Sequence, residues 1–307
     1  MEEMPKNKKA AYRLAVIVLN WNNARDSIKC IQSIVSWESL KPDIYIVDNA
    51  STDNSLSEIQ LRFPNITIIK SKKNLGFAGG NNLAIRKAIE NGSDTILLLN
   101  NDVNATESNI SRLLGILQAR PDIAVVGPKV RMGMSVYAGG RDIGRNVSTY
   151  VPWQAGMGDD MVVEVDYVPG SAFMVRSTAL ERAGLLDEDF FFSGEIADLC
   201  RRIRDLGMRC CVYTGADVAH DIDPTSLQMR NTLYTYYSTR NRFLYVKKHE
   251  NGLLLRLYGW WIGYCVREMI LSFAGNNRNR SRAIFLALFD GITGKFGDHN
   301  YRFIPHT

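Results

Sequence analysis

Cysteine is scarce in this chain, and no strong excess of one charge is present. Five cysteines occur in 307 residues: Cys30, Cys200, Cys210, Cys211 and Cys265. An odd number without regular spacing supplies no disulfide framework, and adjacent Cys210–Cys211 matches no zinc spacing. Reduced thiols are the expectation. Neither G-x-x-x-x-G-K-[ST] nor G-x-G-x-x-G is present, so the P-loop and dinucleotide-binding signatures are missing. No internal repeat or low-complexity tract is visible. The first apolar run, LAVIVLN (14–20), is shorter than a signal peptide needs and passes straight into polar WNNARDS. The run at 253–273, LLLRLYGWWIGYCVREMILSF, is interrupted by Arg256, Arg267 and Glu268. Its uncharged core is about half of the roughly 20 residues a membrane span requires. The net charge of +5 suits binding of diphosphates or an anionic membrane surface and is too weak to indicate nucleic acid.

What is present is ordinary globular composition, 46% hydrophobic and 22% charged. Through the first half, short apolar runs alternate with helical patterns. Strands are expected at 14–20, 43–49, 66–70, 95–102 and 123–130, with a helix over 25–37. ASTDNS (50–55) is expected to turn and cap a helix. Such alternation predicts an α/β fold with a mostly parallel sheet and flanking helices. A Gly-richer stretch over 132–168, with alternating VVEVDYV, reads as a small hairpin region. SAFMVRSTALERAG (171–184) reads as strand then helix, and EIADLCRRIRDLG (195–207) as an amphipathic helix closed by Gly207.

Parallel sheets of this kind bind ligands at the C-terminal ends of their strands. Three expected strands end in polar residues: Asn20-Trp21-Asn22, Asp48-Asn49 and Asn100-Asn101-Asp102. Each alone could be a turn former; three together point to a site. Transfer from a nucleotide diphosphate needs its leaving charge met, and Mg²⁺ or Mn²⁺ does this with one or two carboxylates plus phosphate oxygens. Asp102, closing the most apolar strand, suits that role, and Asp48 is placed to anchor the nucleotide. The Gly-rich NLGFAGGNN (74–82) opens a helix. It could bring backbone close to a ligand or serve tight packing.

VIVLNWNN, IVDNASTDNS, NLGFAGGNN, LLLNNDV, VPGSAFMVRSTALERAGLLDEDFFFSGEIADLCRRIRDLG, VAH and YYSTRNR follow one another in this order. The set resembles the inverting family 2 glycosyltransferases of the GT-A fold, nearest the rhamnosyltransferase-like subgroup, over about residues 13–246. The resemblance implies a sugar transfer, with rhamnose the candidate sugar, from a dTDP- or UDP-linked donor to a glycan or lipid-linked acceptor in cell-surface polysaccharide or glycolipid assembly. It implies that Asp48 contacts the nucleotide base, and that Asn20, Asn74, Gly76, Asn81, Asn100 and Asn101 line the donor site. It further implies that Asp102 and His220 serve the metal. The family reads Gly-Glu-Asp-x-Asp-Leu where this chain has Gly194-Glu195-Ile196-Ala197-Asp198-Leu199, so Ile196 stands in the place of the usual base. Glu195 and Asp198 are the catalytic candidates, Glu195 preferred.

Two other functions compete. Ile196 motivates a catalytically inactive nucleotide-sugar-binding or scaffold protein. A nucleotidyltransferase would need a basic Gly-rich signature near the N-terminus, which VIVLNWNNARDS does not offer. The expected organisation is a catalytic domain over 1–229 and a helical region over 230–307. The latter, aromatic and basic, is either a cap or an in-plane membrane element. A cytoplasmic protein, peripheral on the inner face of the cytoplasmic membrane, is the corresponding expectation.

Overall fold

A computed structural model describes residues 12–153, 158–220 and 227–303. In the first half, strands β1 (Leu14–Asn20), β2 (Asp43–Asp48), β3 (Thr67–Lys70) and β4 (Thr95–Asn100) alternate with helices α1 (Ala24–Val35), α2 (Ser55–Arg62) and α3 (Gly76–Glu90). The four strands are parallel, in the spatial order β3-β2-β1-β4. On β1, Leu14, Val16 and Val18 enter one buried cluster, while Ala15 and Ile17 enter the other. A strand covered on both faces must be apolar throughout, which is why LAVIVL shows no polar alternation.

After β4 come a two-residue strand β5 (Val103–Asn104), helix α4 (Glu107–Ala119), and strands β6 (Ile123–Met132), β7 (Ser135–Gly140), β8 (Tyr150–Pro152), β9 (Val162–Glu164) and β10 (Ala172–Arg176). Then follow α5 (Ser177–Ala183), α6 (Glu195–Asp205) and β11 (Arg209–His220). All eleven strands belong to one sheet; β10 lies antiparallel between β4 and β6, and β11 runs parallel to β6. This is the α/β architecture expected, with two local corrections. The hairpin region expected over 132–168 is present as the antiparallel pairs β6–β7 and β7–β8, but the strand within VVEVDYV lies outside it: β9 pairs with the distant β11. The run over 95–102 breaks at Asn100, because Asn101 and Asp102 turn the chain into β5. All five cysteines are buried and unbridged.

Among the described residues three α-helices follow, α7 (Leu227–His249), α8 (Leu254–Ala274) and α9 (Arg278–Thr293). Helix α7 is in contact with both others and spans the expected boundary at 229/230. Its apolar and aromatic residues are used on two sides. Tyr236 and Tyr237 pack with Ala283 and Ala287 of α9, while Phe243 and Val246 pack with Trp261 and Cys265 of α8. Trp261 is fully buried and donates its Nε1–H to Gly144 O at 2.7 Å; Trp260 beside it is 45% exposed. The adjacent tryptophans therefore do different things, because they lie about 100° apart around the helix.

Candidate active site

The C-terminal ends of β1, β2 and β4 converge on a chain of hydrogen bonds. Asn101 Nδ2 donates to Ser27 Oγ (2.9 Å), Ser27 Oγ donates to Asn20 Oδ1 (2.7 Å), and Asn20 Nδ2 donates to Asp48 Oδ1 (3.1 Å). Asp48 Oδ2 then accepts from the Ser51 backbone N–H at 3.2 Å. Asn20, Ser27 and Asp48 are buried. Polar groups at such depth must be paired, and here they pair with one another, tying the three strand ends into one rigid polar floor.

The Gly-rich segment is built for packing. Asn49, at the end of β2, accepts from Leu75 N through Oδ1 (2.9 Å) and donates to Asn74 Oδ1 (2.9 Å) and Gly76 O (3.1 Å). Gly76 has φ +69°, and a Cβ there would stand 2.2 Å from Phe191 O. A Cβ on Gly80 would stand 2.6 Å from Leu19 Cδ1. Asn81 Nδ2 is bound within its own helix, to Phe77 O at 2.9 Å. Of the two uses open to these glycines, close approach to other protein segments is the one observed.

His220 and Asp102 meet although 118 positions separate them. Strand β11 pairs antiparallel with β5, setting His220 opposite Val103. His220 Nε2 lies 3.0 Å from Asp102 Oδ1, and His220 Nδ1 is 3.1 Å from Ser171 Oγ. Both side chains are largely withdrawn from solvent. The two side chains are thus in direct contact; the same 3.0 Å is the spacing of two cis ligands of an octahedral ion with bonds of about 2.1 Å, so this carboxylate and imidazole would also suit a divalent cation. No cluster of three His, Cys, Asp or Glu side chains suited to a metal exists among the described residues. Further ligands would have to be phosphate oxygens, waters or amides, the usual company of Mg²⁺.

His220, Asn100 and Ser171 line one side of a cleft of about 340 Å³. Glu195 lines it too, at the first turn of α6, with Tyr150 and Tyr167 from the β7–β9 region and Tyr234, Asn241 and Arg242 from α7. The Glu195 side chain is buried, and its Oε2 has no hydrogen-bond partner. Burial pushes its carboxyl up to about 7, with a smaller push from nearby Asp198 and an opposing pull from its own backbone N–H. Asp198 is placed otherwise. It is fully buried, its Oδ2 accepts from Arg202 Nε (2.8 Å), and its Oδ1 is 2.8 Å from His249 Nε2. It fastens α6 to the end of α7 and does not line the cleft. Ile196 is buried in the core and also lines the cleft beside Glu195.

A family model, "Glycosyl transferase family 2", matches residues 15–182, which hold the polar floor, Asp102 and the first cleft residues. The chain belongs to glycosyl transferase family 2. It is 26% identical over 237 residues to a low-salt glycan biosynthesis hexosyltransferase of Haloferax volcanii, covering 75% of this chain and 74% of that protein. It is 22% identical over 276 residues to a dTDP-rhamnosyl transferase of Shigella flexneri, covering 84% and 88%. A mannosyltransferase from Pyrobaculum calidifontis, solved in complex with GDP-Man and Mn²⁺, superposes with a TM-score of 0.63 at 13% identity, covering 93% of this chain and 89% of that one. The fold is that of the GT-A glycosyltransferases.

The family match ends before Glu195, His220 and the α7 residues. Sequence reasoning reached Glu195 and His220 but not Ser171, Ser27 or Asn241. Ser27 carries no motif, and its place in the relay follows from α1 packing its first turn against the ends of β1 and β4. Asn241 stood in the YYSTRNR segment, whose buried polar residues were a signal without an assigned partner.

Proposed function

We propose that this family 2 member transfers a sugar of the rhamnose class, with inversion, from a dTDP- or UDP-linked donor to a hydroxyl of a glycan or lipid-linked acceptor. The observation that carries the mechanism is the Glu195 carboxyl: buried in the cleft, with an oxygen free of partners and a proton affinity raised to about 7. A general base is most effective when its pKa lies near the working pH. Glu195 takes the acceptor proton as the new bond forms. Asp48, Asn20 and Asn101 fix the nucleotide end of the site, with Asn74, Gly76 and Asn81 shaping its wall. Asp102 and His220 hold Mg²⁺ or Mn²⁺, which when bound offsets the charge of the leaving diphosphate. The sugar class rests on the Shigella flexneri relative, named a dTDP-rhamnosyl transferase, and on the similarity of the motif set.

Residues 230–307 cap the cleft through α7 and, in this proposal, bring the protein to the inner face of the cytoplasmic membrane through α8 and α9. No helix among the described residues is long and apolar enough to cross a bilayer, so the contact proposed is in-plane.

The deciding experiment is Glu195→Gln. The variant should bind donor normally and lose turnover by about a hundredfold or more. Near-normal sugar transfer to the acceptor, with release of nucleoside diphosphate, by Glu195→Gln would overturn the assignment. An inactive scaffold would release none in the wild type, with any acceptor.

A further inference from the structure

The segment that delivers Glu195 is held in an uncommon way. Phe191 (φ +61°), Ser193 (φ +70°) and Gly194 (φ +101°) all lie in the left-handed region immediately before α6. For a bulky residue such as Phe this is strained and persists only where surroundings impose it. Here every carbonyl from Asp189 to Ser193 is occupied from outside the segment. Asp189 O accepts from Gly297 N at 2.9 Å, and Phe191 O from Phe77 N at 2.7 Å. Phe190 O, Phe192 O and Ser193 O stand 2.8, 3.0 and 2.5 Å from one atom, Asn241 Nδ2, whose two hydrogens they share. Asn241 is itself oriented: its Oδ1 accepts from Arg240 Nε at 2.9 Å, while the Arg240 guanidinium also donates to Phe190 O and Gly297 O. Arg240 and Asn241 are fully buried, and Arg240 is sandwiched against the Tyr237 ring at 4.8 Å.

We propose that Asn241 is a positioning residue for catalysis: by drawing the carbonyls of Phe190, Phe192 and Ser193 around the two hydrogens of one amide, it fixes the strained turn that aims Glu195 into the cleft. This rests on Glu195 being the base. An amide is required because a carboxylate of the same shape has no hydrogen to give and would face three carbonyl oxygens. The clamp also joins the base to the donor wall, since the same turn is pinned through Phe191 O to Phe77 beside Gly76. The charged and titratable groups around Glu195 are Asp198 one turn along α6, His220 across the cleft, and Tyr150, Tyr167, Tyr234 and Arg242 on the surrounding walls.

The test compares Asn241→Asp and Asn241→Ser in the full chain, with Glu195→Gln as reference. Each is assayed for kcat, donor KM and the pH dependence of kcat/KM, with thermal unfolding alongside. Misplacing a reacting group by about 1 Å can cost on the order of 10²-fold in rate. Asn241→Asp should therefore lose kcat by about that factor with donor KM little changed. Its acidic limb should move below that of the wild type, because a loosened Glu195 regains water. Asn241→Ser keeps one donor and should fall between; should the Asp variant fail to fold, the Ser variant decides alone. If both variants retain wild-type kcat and limb, or lose activity only in step with unfolding while the limb stays fixed, Asn241 is structural and the proposal fails. If Glu195→Gln itself turns over normally, the base assignment has failed instead.

Discussion

His220 Nε2 and Asp102 Oδ1 stand 3.0 Å apart because the last residue of β11 pairs opposite the first residue of β5. A two-residue strand thus brings together the pair proposed to hold the cation. It sets the carboxylate at the end of β4 against an imidazole from the far side of the sheet.

Removing either partner should act on metal-supported donor binding. Asp102→Ala is expected to abolish the Mn²⁺-dependent part of nucleotide-sugar binding, and His220→Gln to weaken it, with the fold intact by circular dichroism. Calorimetric titration of the donor with and without Mn²⁺ reads both effects. Undiminished activity in excess chelator would show that no divalent cation takes part.

The raised Glu195 carboxyl predicts two opposite pH trends. Activity needs the ionised form, so kcat/KM should rise with pH through about 7. Stability should move the other way. The folded state holds this proton more tightly than the unfolded chain, so its contribution is complete below the ordinary glutamate pKa and is lost as pH rises through about 7. Glu195→Gln removes the buried charge, and should raise the unfolding temperature above pH 7 relative to wild type while making little difference at pH 5. An unfolding temperature difference independent of pH would show that Glu195 is not buried as described.

Much of this site could be read from the chain itself, for definite reasons. Strand ends show their polar residues in sequence, so Asn20, Asp48 and Asp102 were visible as polar residues closing apolar runs. Glu195 was singled out through the family resemblance, as the carboxylate next to the place where Ile196 stands. Other features depend on contacts distant in sequence. The division of labour between Glu195 and Asp198 is one: both sit in the first turn of α6, and only the arrival of Arg202 and of His249 from α7 turns Asp198 into a fastening. Gly76 and Gly80 are another. Their need is set by Phe191 and Leu19, neither of which is near them in sequence. The pairing of β9 with β11 likewise cannot be read from the alternation in VVEVDYV, which fits any half-buried strand.

Asp198→Asn should damage stability far more than chemistry. Breaking a buried ion pair by removing one partner costs about 3–5 kcal/mol, since the remaining charge is left uncompensated. Arg202 and His249 would both lose the carboxylate they face. Denaturant unfolding should show a loss of this order, and activity per folded molecule at low temperature should be largely kept. A stable but inactive Asp198→Asn would place the base at Asp198.

Gly76→Ala tests the junction between the donor wall and the turn before Glu195. A Cβ there meets Phe191 O at 2.2 Å, and the backbone at φ +69° is strained for any L side chain. The substitution should cost about 1–3 kcal/mol and displace the turn. Both donor KM and kcat should therefore suffer, unlike Asn241→Ser, where kcat alone should fall. Unchanged kinetics would separate the Gly-rich segment from the catalytic machinery.

The last prediction concerns the C-terminal helices. Helix α9 exposes Phe285, Phe289 and Ile292, spaced i, i+4, i+7 on one face, and Arg278 and Arg282 continue that face toward its start. Its neighbour α8 exposes Leu255, Val266, Ile270 and Phe273 along one stripe, with Arg256 and Arg267 beside it. Two apolar stripes flanked by arginines match the chemistry of an anionic bilayer surface, where each basic residue near the headgroups contributes about 1 kcal/mol and the apolar side chains enter the acyl boundary. The buried Trp261 takes no part; Trp260 faces outward. The full chain should co-float with vesicles containing phosphatidylglycerol and not with neutral vesicles, and high salt should release it. Replacing Phe285 and Phe289 together by serine should abolish flotation at low salt without reducing turnover on a water-soluble acceptor, because neither residue lines the cleft. A protein that ignores both kinds of vesicle but sediments as a dimer, converted to monomer by the same double substitution, would mean that a second copy of the chain covers this face.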